Sequence, residues 1–146
     1  MVAHAYTVAF EGVDARLVDV QSVMSPGLPS FSIVGLPNKA VTEARERVRA
    51  ALGTMGIALP SKKITVNLSP ADMPKDGSHF DLPIALSLMA ELDLIPRELV
   101  ENTVALGEIA LDGTLVPVRG ALPAAMAAAQ EGRDLICPAA SGAEAA

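Results

Sequence analysis

The sequence predicts an α+β domain in which helices pack against a mixed sheet. Three observations support this fold class. Several segments alternate between apolar and polar residues as strands do, others space their apolar residues three and four apart as helices do, and 51% of the residues are hydrophobic. A chain of 146 residues is long enough for one domain with a full core.

The first part of the chain is predicted to form three strands. Residues 4–24 alternate in polarity on both sides of Glu11-Gly12, which indicates two strands joined at that point. The segment SPGLP is typical of a turn, and SFSIVGL, residues 30–36, is the third strand.

A first helix is predicted to begin at Pro37 and Asn38, with Asn38 as its N-cap, and to end at the glycines at 53 and 56. Spacings of three and four define one buried face, formed by Val41, Ala44, Val48, Ala51 and Met55. The outer face carries the charged residues Glu43, Arg45, Glu46, Arg47 and Arg49.

A buried strand, KKITVNL, and a loop are predicted to lead into a second helix, DLPIALSLMAEL, which starts at about Asp81. Because proline is tolerated only in the first turn of a helix, Pro83 places the N-cap between His79 and Asp81.

The C-terminal part is predicted to contain a hairpin, a third helix and a last strand. The hairpin covers residues 103–120 and turns at Asp112-Gly113. The segments ALPAAMAAAQEG and DLICP are the helix and the strand. The final SGAEAA is typical of the first residues of another helix that is cut short, so residues 1–146 are predicted to be a truncated part of a longer protein.

Composition narrows the possible functions. A formal charge of -6 and the absence of tryptophan disfavour a phosphate-binding fragment with a base-stacking platform. The single cysteine, Cys137, and the absence of a signal peptide or a long apolar stretch indicate a cytoplasmic protein with no membrane contact. Neither GxxxxGK(S/T) nor GxGxxG occurs, and histidine and cysteine are too few for a metal site, so no cofactor is expected within these residues.

The stretch SPADMPKDGSHFDLPIAL, residues 69–86, contains side chains used in serine hydrolases, including Lys75, Ser78 and His79. The members of a catalytic triad come from separate elements and meet in space, so their adjacency here argues against catalysis. Asp76-Gly77 is typical of a turn, and Asp81 can satisfy free N–H groups at a helix start. The spacing therefore favours a structural loop, with Ser78 and Lys75 as the remaining catalytic candidates.

Four basic residues are the candidates for a contact surface: Arg45 and Arg49 on one helix face, and Lys62 and Lys63 at the start of the next strand. They are predicted to contact DNA or a partner if this domain does so. The alternative, which the spacing favours, is a solvated face with a Glu43–Arg47 pair at i, i+4.

Three segments together resemble the N-terminal domain of the YifB/ComM family of magnesium-chelatase-like AAA+ ATPases: SFSIVGLPNKAVTEARERVRAAL, ITVNLSPADMPKDGSHFDLPIAL and LGEIALDGTLVPVRGALPAA. The resemblance extends from about Ala5 to Ala146. It implies a longer protein in which this domain precedes its own AAA+ module, which binds ATP and Mg²⁺. It also implies a homo-oligomeric ring, expected to be a hexamer, and a role in natural transformation through branch migration of DNA.

The same segments are similar, more distantly, to the proteolytic domain of Lon and the C-terminal domain of RadA. This implies the fold of the second domain of ribosomal protein S-five. In Lon the nucleophilic serine is the second residue after a PKDG segment, and a lysine in the helix after the GE…PV hairpin is its base. These positions fall on His79 and Leu122 here. The resemblance therefore implies a non-catalytic domain for assembly or for DNA or partner guidance. A Lon-like serine peptidase and a pure oligomerisation module, as in RadA, are the alternatives.

Overall fold

The main sheet contains strands from the start, the middle and the end of the chain. In the computed structural model, which describes residues 2–12 and 14–142, these strands are β1 (Ala3–Glu11), β2 (Asp14–Ser25), β3 (Ser30–Val34), β4 (Lys63–Ser69), β5 (Thr103–Ala105) and β8 (Asp134–Ile136). Their order across the sheet is β3-β4-β2-β1-β5-β8. β2 is antiparallel to β1 and β4, whereas the other three pairs are parallel. The predicted mixed sheet is confirmed.

Helices cover both faces of this sheet. α1 (Asn38–Thr54), α2 (Asp81–Glu91) and the short α3 (Arg97–Glu101) pack on one face, and α4 (Ala121–Gln130) packs on the other. Because alternate residues of a strand face opposite sides, Ala5 and Ala9 of β1 enter the core under α1 and α2, whereas Val8 packs with Ala124 of α4. The predicted α+β class is confirmed.

Residues 103–120, predicted as one hairpin, belong to two different sheets. β5 joins the main sheet beside β1, and only β6 (Glu108–Ile109) and β7 (Leu115–Val116) form the hairpin, with Gly113 at φ +90° in the predicted turn. The chain leaves the strand where the Leu106 and Gly107 amides donate to the carbonyl oxygens of Ile136 and His79. The continuous apolar pattern of this segment conceals the break between β5 and β6. α3 was not predicted either, because it is too short to show a helical period.

The start of α1 differs from the prediction by one residue. Pro37 is the N-cap and Asn38 is already helical, since the Val41 amide donates to the Pro37 carbonyl at 2.9 Å. Asn38 as N-cap was therefore wrong. The predicted buried face is confirmed at Ala44, Val48 and Ala51, but Met55 follows the end of the helix and is 53% exposed.

Gly35 determines how α1 approaches the sheet. It has a φ of +104°, and a Cβ at this position would lie 2.5 Å from the carbonyl oxygen of Leu68 in β4. Both the backbone conformation and this close approach require glycine. The turn sets the start of α1 beside the loop that follows β4, so that Pro37 and Ser78 line one cleft.

Candidate functional site

The loop between β4 and α2, residues 70–80, carries the side chains with catalytic potential. Gly77 has a φ of +104°, and a Cβ there would lie 2.9 Å from Nδ1 of His79, so the turn before Ser78 requires glycine. α2 begins at Asp81 with Phe80 as its N-cap. This confirms the predicted cap position and places Ser78 before the helix.

Ser78 is partly exposed and lies between two clefts. One, of about 370 Å³, includes Lys39 and Glu43 of α1, and the other, of about 420 Å³, includes Phe10 and Arg119. No side chain in residues 2–12 and 14–142 forms a hydrogen bond with the Ser78 hydroxyl. A serine becomes a nucleophile at neutral pH when a base lies within hydrogen-bonding reach. The structure brings no such base into contact with Ser78.

Lys75, the other catalytic candidate, is 3% exposed and faces its own loop. Its Nζ donates to the carbonyl oxygens of Pro70 and Met73. Burial lowers the pKa of Lys75, and the nearby Asp72 carboxylate opposes this effect. The ammonium group thus holds the loop together.

His79 is buried and forms a hydrogen bond with β1. Its Nε2–H donates to the carbonyl oxygen of Val8 at 2.7 Å, and its ring packs between Phe10 and Phe80 with centroid distances of 5.1 and 4.1 Å. Burial lowers the pKa of His79, although the bond to Val8 opposes the shift. The position that matches the Lon nucleophile therefore holds a packed imidazole, which favours the neutral form.

Arg47 and Asp81 form an ion pair that the sequence analysis did not predict. The Arg47 Nε and one terminal nitrogen donate to the two Asp81 carboxylate oxygens at 2.6 and 3.1 Å, and the Ile109 amide donates to the same carboxylate at 3.1 Å. The Asp81 side chain is 1% exposed. Burial raises the pKa of Asp81, whereas Arg47 and the Ile109 amide lower it. This cluster joins α1, α2 and the hairpin behind the Ser78 loop.

The outer-face position predicted for Arg47 was therefore wrong. Its guanidinium also lies 3.8 Å from Glu43, the predicted i, i+4 partner, but its stronger contact is with Asp81. The predicted capping role of Asp81 was also wrong, because its carboxylate binds another helix and another strand. The available signal was a carboxylate at the start of a mostly apolar run, residues 82–90, because a carboxylate requires a partner when it is buried.

The four basic residues predicted to contact DNA or a partner divide between two surfaces. Arg45 donates to the Phe31 carbonyl at 3.2 Å, and the Arg49 guanidinium lies 5.6 Å from the centre of the Phe31 ring. Lys62 lines the same groove as Arg49. Lys63 faces the opposite side of the sheet, because its neighbour in β4, Ile64, points into the core.

We name the groove shared by Arg49 and Lys62 the β3 groove. It lies between β3, the end of α1 and the segment that leads into β4, and it has a volume of about 410 Å³. Its apolar side chains are those of Pro29, Phe31, Ile57, Ala58, Leu59, Pro60 and Ile64. Within residues 2–12 and 14–142, none of the four basic residues forms an ion pair with a carboxylate.

A mixed sheet between helices, with a PKDG loop before α2 and a hairpin before α4, defines an α+β sandwich domain. A family model described as subunit ChlI of Mg-chelatase matches residues 20–141. The chain therefore belongs to the Mg-chelatase ChlI family, in the group that includes the ComM and YifB proteins.

Individual relatives agree with this assignment. Competence protein ComM of Haemophilus influenzae is 45% identical over 134 residues, which are 92% of this chain and 26% of that protein. Protein YifB of Escherichia coli is 44% identical over 131 residues, 90% of this chain and 26% of that protein. Lon protease 2 of Bacillus subtilis is 30% identical over 121 residues, 78% of this chain and 21% of that protein. The chain thus spans about a quarter of the length of these relatives.

The described part of the chain contains no helix that is both long and apolar enough to cross a membrane. In the same residues, no three histidine, cysteine, aspartate or glutamate side chains form a group that could hold a metal ion.

Proposed function

We propose that this chain is the non-catalytic N-terminal domain of a cytoplasmic AAA+ ATPase that acts on DNA. In the complete ring, expected to be a hexamer, it provides a surface for assembly or for the DNA or protein that the ATPase handles. The name of the relative ComM, a competence protein, supports a role of the longer protein in natural transformation. Branch migration of DNA is the activity that we propose for it there.

One observation carries the proposal that the domain is non-catalytic: Lys75 and His79, the two candidate bases on either side of Ser78, are already used within the fold. Lys75 donates to two carbonyl oxygens of its own loop, and His79 donates to Val8. The position of the Lon base is Leu122, in the first turn of α4. A serine without a positioned base is a poor nucleophile.

ATP and Mg²⁺ do not fit the one strand–glycine–helix segment that resembles a phosphate loop. Gly35, between β3 and α1, packs directly against β4, since a Cβ there would lie 2.5 Å from the Leu68 carbonyl oxygen. The segment also lacks the second glycine of a P-loop, and its lysine, Lys39, is followed by Ala40 where a P-loop has serine or threonine. We therefore place the ATP and Mg²⁺ site of the longer protein outside these residues, in its AAA+ module.

A serine-directed fluorophosphonate probe tests this proposal. We expect mass spectrometry to find no adduct at Ser78 under conditions that label a Lon protease used as the positive control. In the full-length protein, Ser78→Ala should leave ATP hydrolysis and DNA branch migration unchanged.

Two results would contradict the proposal. An adduct at Ser78 that disappears in Lys75→Met, with both proteins folded, would establish the peptidase alternative. A large loss of ATPase or branch-migration activity in folded Ser78→Ala would assign the serine a direct role.

Self-association of the chain without any binding of DNA or protein would favour the oligomerisation alternative.

A further inference from the structure

The β3 groove combines unpaired positive charge with an apolar surface. Arg49 and Lys62 are exposed at its rim, whereas Ile57 and Leu59 are only partly exposed inside it. Since the chain carries a formal charge of -6, this region is opposite in sign to the molecule as a whole. We propose that the β3 groove binds an extended acidic peptide segment in which apolar side chains are flanked by aspartate or glutamate. This inference rests on the proposed function, a domain that contacts other molecules without catalysis.

Charge complementarity identifies the partner as acidic. Arg45, Arg49 and Lys62 have no carboxylate within ion-pair distance in the described residues, although the chain has 17 acidic residues. Glu43, an acidic residue of α1, contacts Arg47 instead. Unpaired cations of this kind steer and orient an acidic partner.

The interior of the groove favours a peptide over a nucleic acid. Single-stranded DNA binds through phosphates and through bases stacked on exposed aromatic rings. The one aromatic residue of the groove, Phe31, is 5% exposed and lies beneath the Arg49 guanidinium. Leu59 and Ile57 offer nothing to a phosphate, but they bury an apolar side chain of a peptide.

The peptide is expected to occupy the groove and not to extend the sheet. The Ser30 amide donates to the Lys62 carbonyl, so the backbone groups of the next residue, Phe31, point away from β4 to the open edge. Arg45 donates to the Phe31 carbonyl and covers that edge. An added strand would have to displace this bond.

Fluorescence anisotropy with the 146-residue chain tests the proposal. The probe is a short fluorescein-labelled peptide of alternating leucine and aspartate, compared with a serine–aspartate peptide of equal charge and a single-stranded oligonucleotide. We expect saturable binding of the leucine–aspartate peptide, binding that is several-fold weaker for the serine–aspartate peptide, and a loss of affinity at high salt. Arg49→Glu and Lys62→Glu should each weaken peptide binding about tenfold.

Lys63→Glu is the matched control, because it makes the same charge change one residue further on but on the opposite face of the sheet. It should leave peptide binding within about twofold of the unchanged chain.

The proposal is overturned by equal effects of Lys62→Glu and Lys63→Glu, by equal binding of the two peptides, or by oligonucleotide binding that alone depends on Arg49 and Lys62. Cleavage of the peptide in the same samples would instead overturn the non-catalytic function, whereas an intact but unbound peptide would overturn only the groove.

Discussion

Arg47→Ala is expected to lower the free energy of unfolding by about 3 kcal/mol at neutral pH, because it leaves a buried carboxylate without its partner. The Asp81 side chain is 1% exposed and would keep only the Ile109 amide as a donor. The value lies at the lower end for buried pairs, since Arg47 itself is 23% exposed. Urea denaturation of both proteins measures the difference.

The pH dependence of this loss has a definite sign. Burial raises the pKa of Asp81, and Arg47 is the main opposing group, so its removal raises that pKa further. Between the ordinary carboxyl pKa and the raised folded value, the native state binds more protons than the unfolded state. The free energy of unfolding of the variant therefore falls as pH rises through this window. The loss caused by Arg47→Ala should be smallest at about pH 4 and largest at neutral pH.

Two further variants control this experiment. Adding Asp81→Asn to Arg47→Ala should restore part of the stability and remove this component of the pH dependence, since no carboxyl remains at position 81. Arg16→Ala breaks an exposed pair with Glu11 and should cost about 0.5 kcal/mol or less. A loss for Arg47→Ala that is equal at all pH values, or largest in acid, would contradict the assignment of a stranded Asp81 charge.

The strands and most helices were predictable because their signals are local. The alternation along β1 and β2 and the three-to-four spacing in α1 arise within single segments. The Arg47–Asp81 pair joins residues 34 apart in sequence, and no periodicity within either helix specifies that contact. Arg47 also lies among other charged residues of α1, where a solvent-exposed position is the usual outcome.

Parts of the candidate site were likewise not predictable from local sequence patterns. Lys75 in a polar loop would ordinarily be exposed, but its hydrogen bonds to two loop carbonyls keep it buried. The division of Lys62 and Lys63 between two surfaces was available from the sequence, because neighbouring strand residues face opposite sides. The β3 groove could not be predicted from the sequence, because it forms only when the end of α1, β3 and the segment before β4 pack together.

His79→Ser places a serine where the Lon resemblance locates the nucleophile, and we expect it to destabilise the domain without creating peptidase activity. Loss of the buried ring leaves a cavity beside Phe10 and Phe80, and the Val8 carbonyl loses its donor. Together these changes should lower the free energy of unfolding by about 3 kcal/mol at neutral pH. The introduced serine should not react with a fluorophosphonate, because Leu122 occupies the position of the base.

The pH dependence separates the role of the ring from simple loss of volume. Since burial lowers the pKa of His79, the unfolded state binds more protons than the native state between the lowered value and the ordinary 6.5. The free energy of unfolding of the unchanged chain therefore falls as pH drops through this window, and His79→Ser lacks this component. The free energies of unfolding of the unchanged chain and of His79→Ser should therefore converge as the pH is lowered.

His79→Gln, which keeps an N–H donor for Val8, should lose less stability than His79→Ser but show the same flattened acid limb, that is, the same weaker fall of the free energy of unfolding at acid pH. An unchanged acid limb in both variants would show that His79 is not held in its neutral form, and fluorophosphonate labelling of the introduced serine would show that the fold still supplies a catalytic base.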